Sequence, residues 1–328
     1  MTTASYEQKI EQQIAQYREV ANLHDLPDIF HYWSNKYLRP LVNTVIKVDS
    51  ITGFYAQYFF EAAKNTGCKR FLSLGAGDCA VEIEVAQHLQ KMGLSDFEIT
   101  CLELSPYQVE RACLEIKARG LDTHVVVDKV DLNTWNPAEG IYSGIMAHHS
   151  LHHMVELEHI FSATHRSLHA LGTFVTNDMI GRNGHMRWPE ALHYIERIWA
   201  FMPDYLKFNR TMNRFDEQFI NWDCSNEGFE GIRAQDILPL LCEHFEFSHF
   251  LAYGGFIDVF IDRSYGHNFD PNNPKDIALI DFIHELNELT IDHGLIKPTT
   301  MFAVMNKNSS AGLLSHKHWT PKFSIRKP

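Results

Sequence analysis

The chain has no CxxC pair: its six cysteines, at positions 68, 79, 101, 113, 224 and 242, stand apart. That spacing excludes a thiolate zinc module and gives no disulfide framework. Buried free thiols in a reducing compartment are the simplest reading. No uninterrupted apolar run reaches membrane-spanning length. The opening residues, MTTASYEQKIEQQ, lack the apolar core of a secretory signal, so a cytoplasmic location is expected. Basic residues are scarce, 29 against 41 acidic ones, for a net charge of −12. A track for nucleic-acid phosphates needs clustered Lys and Arg, so neither nucleic acid nor membrane is expected as a partner. No internal repeat is evident. What remains is a soluble-type composition, 45% hydrophobic over 328 residues, enough to bury a full core.

The organising stretch is Phe71 to Ala80, FLSLGAGDCA. An apolar run ends in Gly75-Ala76-Gly77 and a helix-like run follows, Val81 to Leu89. A strand that turns sharply into a helix leaves unpaired N–H groups and the positive end of the helix dipole facing a ligand. Gly75 permits the turn, and Gly77 permits close approach of backbone to ligand.

Three helical segments come first. Residues 5–22 place Ile10, Ile14, Tyr17 and Ala21 on one face. Asp28 to Leu38 is rich in aromatics and is expected to stop at Arg39-Pro40. Gly53 to Asn65 leads into the first strand. The core then alternates. Strands are expected at Phe71–Leu74, Phe97–Leu102, Thr123–Asp128, Gly140–Ala147 and Gly172–Asn177, with helices to Lys91, over Pro106–Arg119 and to about His169. Such alternation implies a parallel sheet covered by helices on both faces. Ligands bind beyond the carboxyl ends of such strands, where the strand order switches. Those ends hold Gly75 and Gly77, then Glu103, then Asp131-Leu132, then Ala147 to His153, then Asn177-Asp178. Polar groups thus converge on one edge.

Gly75-x-Gly77-x-x-Ala80 satisfies the dinucleotide fingerprint, with an acidic residue 26 positions after Gly77, since 103 − 77 = 26. The alternative ligand is S-adenosylmethionine (SAM). Over about residues 50–180 the chain resembles the class I SAM-dependent methyltransferases. LSLGAGDCA looks like their glycine-rich motif, and Glu103 stands where their ribose-binding acid lies. Asp131-Leu132 matches the adenine contact, and Ser150 to Met154 resembles the motif after their fourth strand. The resemblance implies an α/β, Rossmann-like, seven-stranded, mostly parallel sheet whose last strand is antiparallel and lies between the fifth and sixth. It implies SAM held by Ser73, Gly75, Gly77, Glu103, Leu104, Asp131, Leu132, Ala147 and His148. It also implies methyl transfer to a small-molecule acceptor by in-line displacement. An NAD(P)-dependent oxidoreductase and a non-catalytic SAM-binding module are the alternatives.

Two positions depart from that pattern. Many relatives carry an acid where this chain has Ser73, and Cys79 replaces the third glycine. His148 with His152, and His149 with His153, are i, i+4 pairs, a zinc-ligand spacing if the segment is helical. No HExxH is present, and no metal is expected.

The expected organisation is an N-terminal helical segment that could serve as a lid (1–50), a SAM-binding core (51–180), a helical insertion after the fifth strand (181–230), the C-terminal part of the core (231–307) and a polar tail (308–328). Pro189 to Phe201 should be helical. Starting at the ligand edge, the insertion suits either an acceptor cap or a homodimer contact. As a cap it would bring Arg182, His185 and Trp188, with His152, to the acceptor. His153 and His185 are the base candidates.

Overall fold

The structure is a computed structural model, described for residues 3–19, 26–48, 50–226, 228–308 and 312–326. In chain order the elements begin with α1 (Thr3–Glu19), α2 (Asp28–Trp33), α3 (Arg39–Val45) and α4 (Ile51–Thr66). The alternating core follows: β1 (Arg70–Leu74), α5 (Ala80–Lys91), β2 (Glu98–Glu103), α6 (Pro106–Ala118), β3 (Val125–Lys129), β4 (Tyr142–His148), α7 (Leu157–Ser167) and β5 (Leu168–Met179). Next come α8 (Pro189–Phe201) and a small antiparallel pair, β6 (Phe208–Asn209) and β7 (Arg214–Phe215). The chain closes with α9 (Ala234–His244), β8 (Glu246–Tyr253), α10 (Asp258–Ile261), α11 (Pro274–Asp292), β9 (Thr300–Asn306), β10 (Leu314–Ser315) and α12 (Pro321–Ser324).

The main sheet has the order β10-β8-β9-β5-β4-β1-β2-β3. β9 runs antiparallel to both its neighbours, β5 and β8, and the other pairings are parallel. One face is buried under α4, α5 and α6 through Phe54, Phe59, Ile83, Leu89 and Ile116. The other lies under α7 and α9 through Leu157, Phe161, Ile237 and Leu241. Both faces are covered over β1, β2 and β4, which is why these strands read as continuous apolar runs. The order reverses between β1 and β4, so the ligand edge predicted for a doubly wound sheet falls at their carboxyl ends. A third core joins Ile29 and Trp33 of α2 to Ile195, Ile198 and Trp199 of α8 and Ile280 and Ile283 of α11. The aromatics of the second N-terminal helix therefore pack in that helical layer.

Three expectations are corrected. The sheet has eight strands, because β10 of the supposed polar tail pairs in parallel with β8. The same tail buries Trp319 completely, its indole N–H donating to Asp292 Oδ1 at 2.7 Å. Arg39-Pro40 does not end the helix. A π-helical turn at Ser34–Leu38 precedes it and α3 continues, with Pro40 in its first turn, where a missing N–H costs little. β5 starts at Leu168, directly after α7, and its register with β4 shifts between Tyr142 and Gly144. The first helix is described over Thr3–Glu19, and the expected residues 20–22, with Ala21, fall outside the described residues. No helix among the described residues is long and apolar enough to cross a membrane.

Candidate functional site

The glycine turn keeps a left-handed backbone at three alternate positions: Gly75 (φ 70°), Gly77 (φ 58°) and Cys79 (φ 61°). Cys79 therefore holds a backbone conformation that ordinarily favours glycine. Its side chain is fully buried and its thiol meets that of Cys101 on β2. The carboxylate of Glu103, the last residue of β2, closes over the turn. Its Oε2 accepts the Gly77 N–H at 2.9 Å and its Oε1 accepts the Ser105 N–H at 2.8 Å. Burial pushes this acid up, and the N–H bonds oppose that rise.

Ser73 is buried on β1, and its hydroxyl donates to Glu82 Oε1 at 2.6 Å. A buried carboxyl from the first turn of α5 thus stands beside position 73. Glu82 is 2% exposed, and its Oε2 has no hydrogen-bond partner among the described residues. Burial pushes its carboxyl from 4.5 up to about 7. Between those values the native protein holds a proton that the unfolded chain has lost, so stability falls as pH rises through that window. Glu82→Gln should abolish this share of the fall. Urea unfolding at pH 5 and pH 8 should show the variant losing less stability than wild type, by about 3 kcal/mol. Equal losses in the two proteins would refute the buried, unpaired carboxyl.

Asp131, beyond β3, is held from two sides. Its Oδ1 accepts the Asn133 N–H at 3.0 Å, and its Oδ2 accepts the Tyr6 hydroxyl of α1 at 2.8 Å. Leu132 is buried beside it. Also from α1, Lys9 donates to the Ser225 and Gly228 carbonyls, and Gln13 accepts the Phe229 N–H. The N-terminal helix therefore lies across this edge of the sheet.

The segment after β4 is not an α-helix. His148 ends the strand, His149 is left-handed at φ 47°, and Leu151–His153 is a 3-10 turn. The i, i+4 histidine pairs accordingly share no helical face. Instead the segment docks on the glycine turn, with Ser150 Oγ donating to the Leu74 carbonyl at 2.6 Å. Tyr55 of α4 pins the strand ends. Its hydroxyl donates to the Ala147 carbonyl, accepts the Asn177 N–H and sits 3.1 Å from His148 Nδ1.

Asp178, fully buried near the end of β5, organises the histidines. Its Oδ2 accepts the N–H groups of Ser150 and Leu151 at 2.9 and 2.8 Å, and its Oδ1 lies 2.6 Å from His152 Nδ1. On the far side, Glu230 Oε1 is 3.5 Å from His152 Nε2 and 2.6 Å from His185 Nε2, while its Oε2 is 3.7 Å from His153 Nε2. Burial opposes the His152 charge, but the Asp178 and Glu230 carboxylates outweigh it and raise this imidazole to about 10. Burial also works against the Asp178 charge, yet His152 and the N–H donors hold that acid down at about 2. Burial and the neighbouring His152 push His153 well below the ordinary imidazole range.

The expected residues thus fall into two groups. His152, His153 and His185 converge with Asp178 and Glu230. Arg182 and Trp188 form a separate stack, with the Arg182 and Arg326 guanidinium groups 5.4 and 4.2 Å from the Trp188 ring and Arg326 paired to Glu190. Sequence reasoning placed Asp178 at the ligand edge without giving it a role. It missed Glu230, which reaches the site only through the fold of the segment after β7.

Fold and site together define a Rossmann-like α/β protein whose glycine turn and histidine–carboxylate cluster share one sheet edge. No family model and no curated protein matches the chain. Solved structures do. Geranyl diphosphate C-methyltransferase from Streptomyces coelicolor, in complex with Mg2+, geranyl diphosphate and S-adenosyl-L-homocysteine, is 8% identical, covering 92% of this chain and 98% of that one, with a TM-score of 0.48. An O-methyltransferase from a polyketide synthase multienzyme of Brevibacillus brevis is 13% identical, with coverages of 88% and 85% and a TM-score of 0.45. The cyclase SpnF is 15% identical, with coverages of 87% and 96% and a TM-score of 0.43. At such identities the reading of the site rests on its own residues.

Proposed function

We propose that this chain is a SAM-dependent methyltransferase acting on a small-molecule acceptor. The observation that carries the proposal is the charge around the glycine turn. Asp78, Glu82 and Glu103 act on one another there, and Glu103 already occupies the Gly77 N–H. A dinucleotide would bring its pyrophosphate to that helix end, against the Asp78 and Glu103 carboxyl groups. SAM brings an ammonium and a sulfonium, which the same groups attract. SAM supplies an electrophilic methyl group. The chain's part is to align the acceptor with it and keep water out.

In this reading Gly75 and Gly77 admit the methionine side, with Ser73 and Glu82 behind them. Glu103 takes the ribose diol by exchanging its bonds to Gly77 and Ser105. Asp131 and Leu132 receive adenine, where Tyr6 now holds one Asp131 oxygen. Leu104, Ala147 and His148 complete the wall. α1 serves as the lid over this edge, and the acceptor lies toward His152, His153 and His185.

Glu103→Ala should weaken SAM binding about 10- to 100-fold in isothermal titration, the value of one or two charge-assisted hydrogen bonds. Binding of NAD(P)H without binding of SAM would sink the proposal. Unchanged SAM affinity in Glu103→Ala would show that the ribose is held elsewhere.

A further inference from the structure

We infer that His152 Nε2, His185 Nε2 and the Glu230 carboxylate form a binding site for one divalent first-row transition-metal ion of the zinc type. The inference goes beyond the methyltransferase reading and does not depend on which cofactor the glycine turn takes. The three donor atoms all lie within 4.8 Å of one another. Two imidazoles and one carboxylate form a donor set that suits zinc and its first-row neighbours, and three protein ligands leave a coordination position open.

The arrangement is fixed from behind. A ligating imidazole is normally oriented by a carboxylate or carbonyl at its other nitrogen. His152 has that partner: Nδ1 is 2.6 Å from Asp178, whose own oxygens are further held by the Ser150, Leu151 and Met179 N–H groups. Nε2 is then the nitrogen turned to Glu230. Such a lock on a fully buried acid is more than a solvated histidine requires.

The other two ligands come from distant segments tied to the first by backbone bonds. Gly184 N–H donates to the Gly231 carbonyl at 2.9 Å, and Ile232 N–H donates to the His152 carbonyl at 3.1 Å. His185 stands in a left-handed conformation, φ 54°, directly after Gly184 at φ 65°. A Cβ on Gly231 would come within 3.1 Å of both the Gly184 nitrogen and the His185 ring, so this crossing needs glycine. A non-glycine residue held left-handed is uncommon and persists where the surroundings over-determine it. Here they deliver His185 Nε2 to the oxygen that also faces His152.

The sequence argued against a metal because no HExxH is present. That motif serves ligands on one helix. These ligands lie on the turn after β4, the turn before α8 and the loop before α9, so no local spacing records them.

The test uses the full chain, dialysed against a chelator and then titrated with Zn2+ by calorimetry and with Co2+ by visible absorption. Wild type should bind one ion per chain, with Co2+ giving an intense low-symmetry spectrum. His185→Ala and Glu230→Gln should each weaken binding at least about 100-fold and abolish that spectrum, with far-UV circular dichroism unchanged. If His185→Ala misfolds, the isosteric Glu230→Gln decides. No Zn2+ binding by wild type, or weak binding of several ions that both variants leave intact, overturns the inference. A SAM titration of the same samples separates the two readings. Loss of SAM binding in wild type defeats the methyltransferase proposal and leaves the metal site standing. SAM binding without metal does the reverse.

Discussion

Asp178→Ala is expected to lower the unfolding free energy by about 3–5 kcal/mol, the range for removing one partner of a buried charge pair. Asp178 is fully buried and takes the Ser150, Leu151 and Met179 N–H groups as well as His152. Alanine would strand those donors in the core and leave the His152 charge without its main partner. Asparagine keeps the volume but offers an NH2 where an acceptor is needed, so at least one donor remains unsatisfied, for about 1–3 kcal/mol. Urea unfolding in the presence of a chelator measures both, with the slope checked against wild type. An Asp178→Asn variant within about 0.5 kcal/mol of wild type, the scatter of ordinary surface changes, would mean that the carboxylate does not organise the β4 turn.

The second large effect separates two glycines that look alike in sequence. Gly75 and Gly77 both have positive φ, so alanine at either is strained by about 1–2 kcal/mol. Their surroundings differ. A Cβ at Gly75 would come within 2.8 Å of Ser150 Cβ, and Ser150 is itself tied to the Leu74 carbonyl. Relief would require displacing the segment that carries His152. A Cβ at Gly77 meets nothing nearer than Gln108 Nε2 at 3.9 Å. Gly75→Val should therefore cost about 3–5 kcal/mol, the strain plus an overpacking term, and also abolish SAM binding. Gly77→Ala should retain most of the stability yet bind SAM much more weakly, because the new methyl enters the ligand side. Thermal unfolding and isothermal titration of the pair decide the matter. Equal destabilisation by Gly75→Ala and Gly77→Ala would show that the β4 segment does not press on the turn.

Much of this fold is legible from local pattern. β1, β2 and β4 are apolar runs because both faces of the sheet are covered there, and the glycine turn announces itself by composition. α8 carries a clear apolar stripe and starts at Pro189, as read. What stayed hidden depends on distant partners. The two residues of β10 form a strand only because β8 offers its edge, and Trp319 is a core residue only because of the third cluster. Glu230 has no local signature, and the stacking of Arg182 and Arg326 on Trp188 joins residues far apart in the chain. The irregular positions Ser73 and Cys79 were the clearest departures from the expected motif. In three dimensions Ser73 donates to Glu82, and Cys79 holds a left-handed backbone.

The placement of β9 also governs the order in which the chain can be assembled. Its residues 300–306 fill the slot between β5 and β8, pairing along the strand with both. During synthesis the chain emerges amino end first, and the half built from β1 to β5 can begin to collapse early. The β5 edge, though, stays unpaired until residues 300–306 have left the ribosome. For that interval a long apolar strand presents open N–H and C=O groups, the kind of edge that templates association. Nascent chains stalled before residue 300 should thus depend strongly on chaperones, and a release only a few residues later should end that dependence.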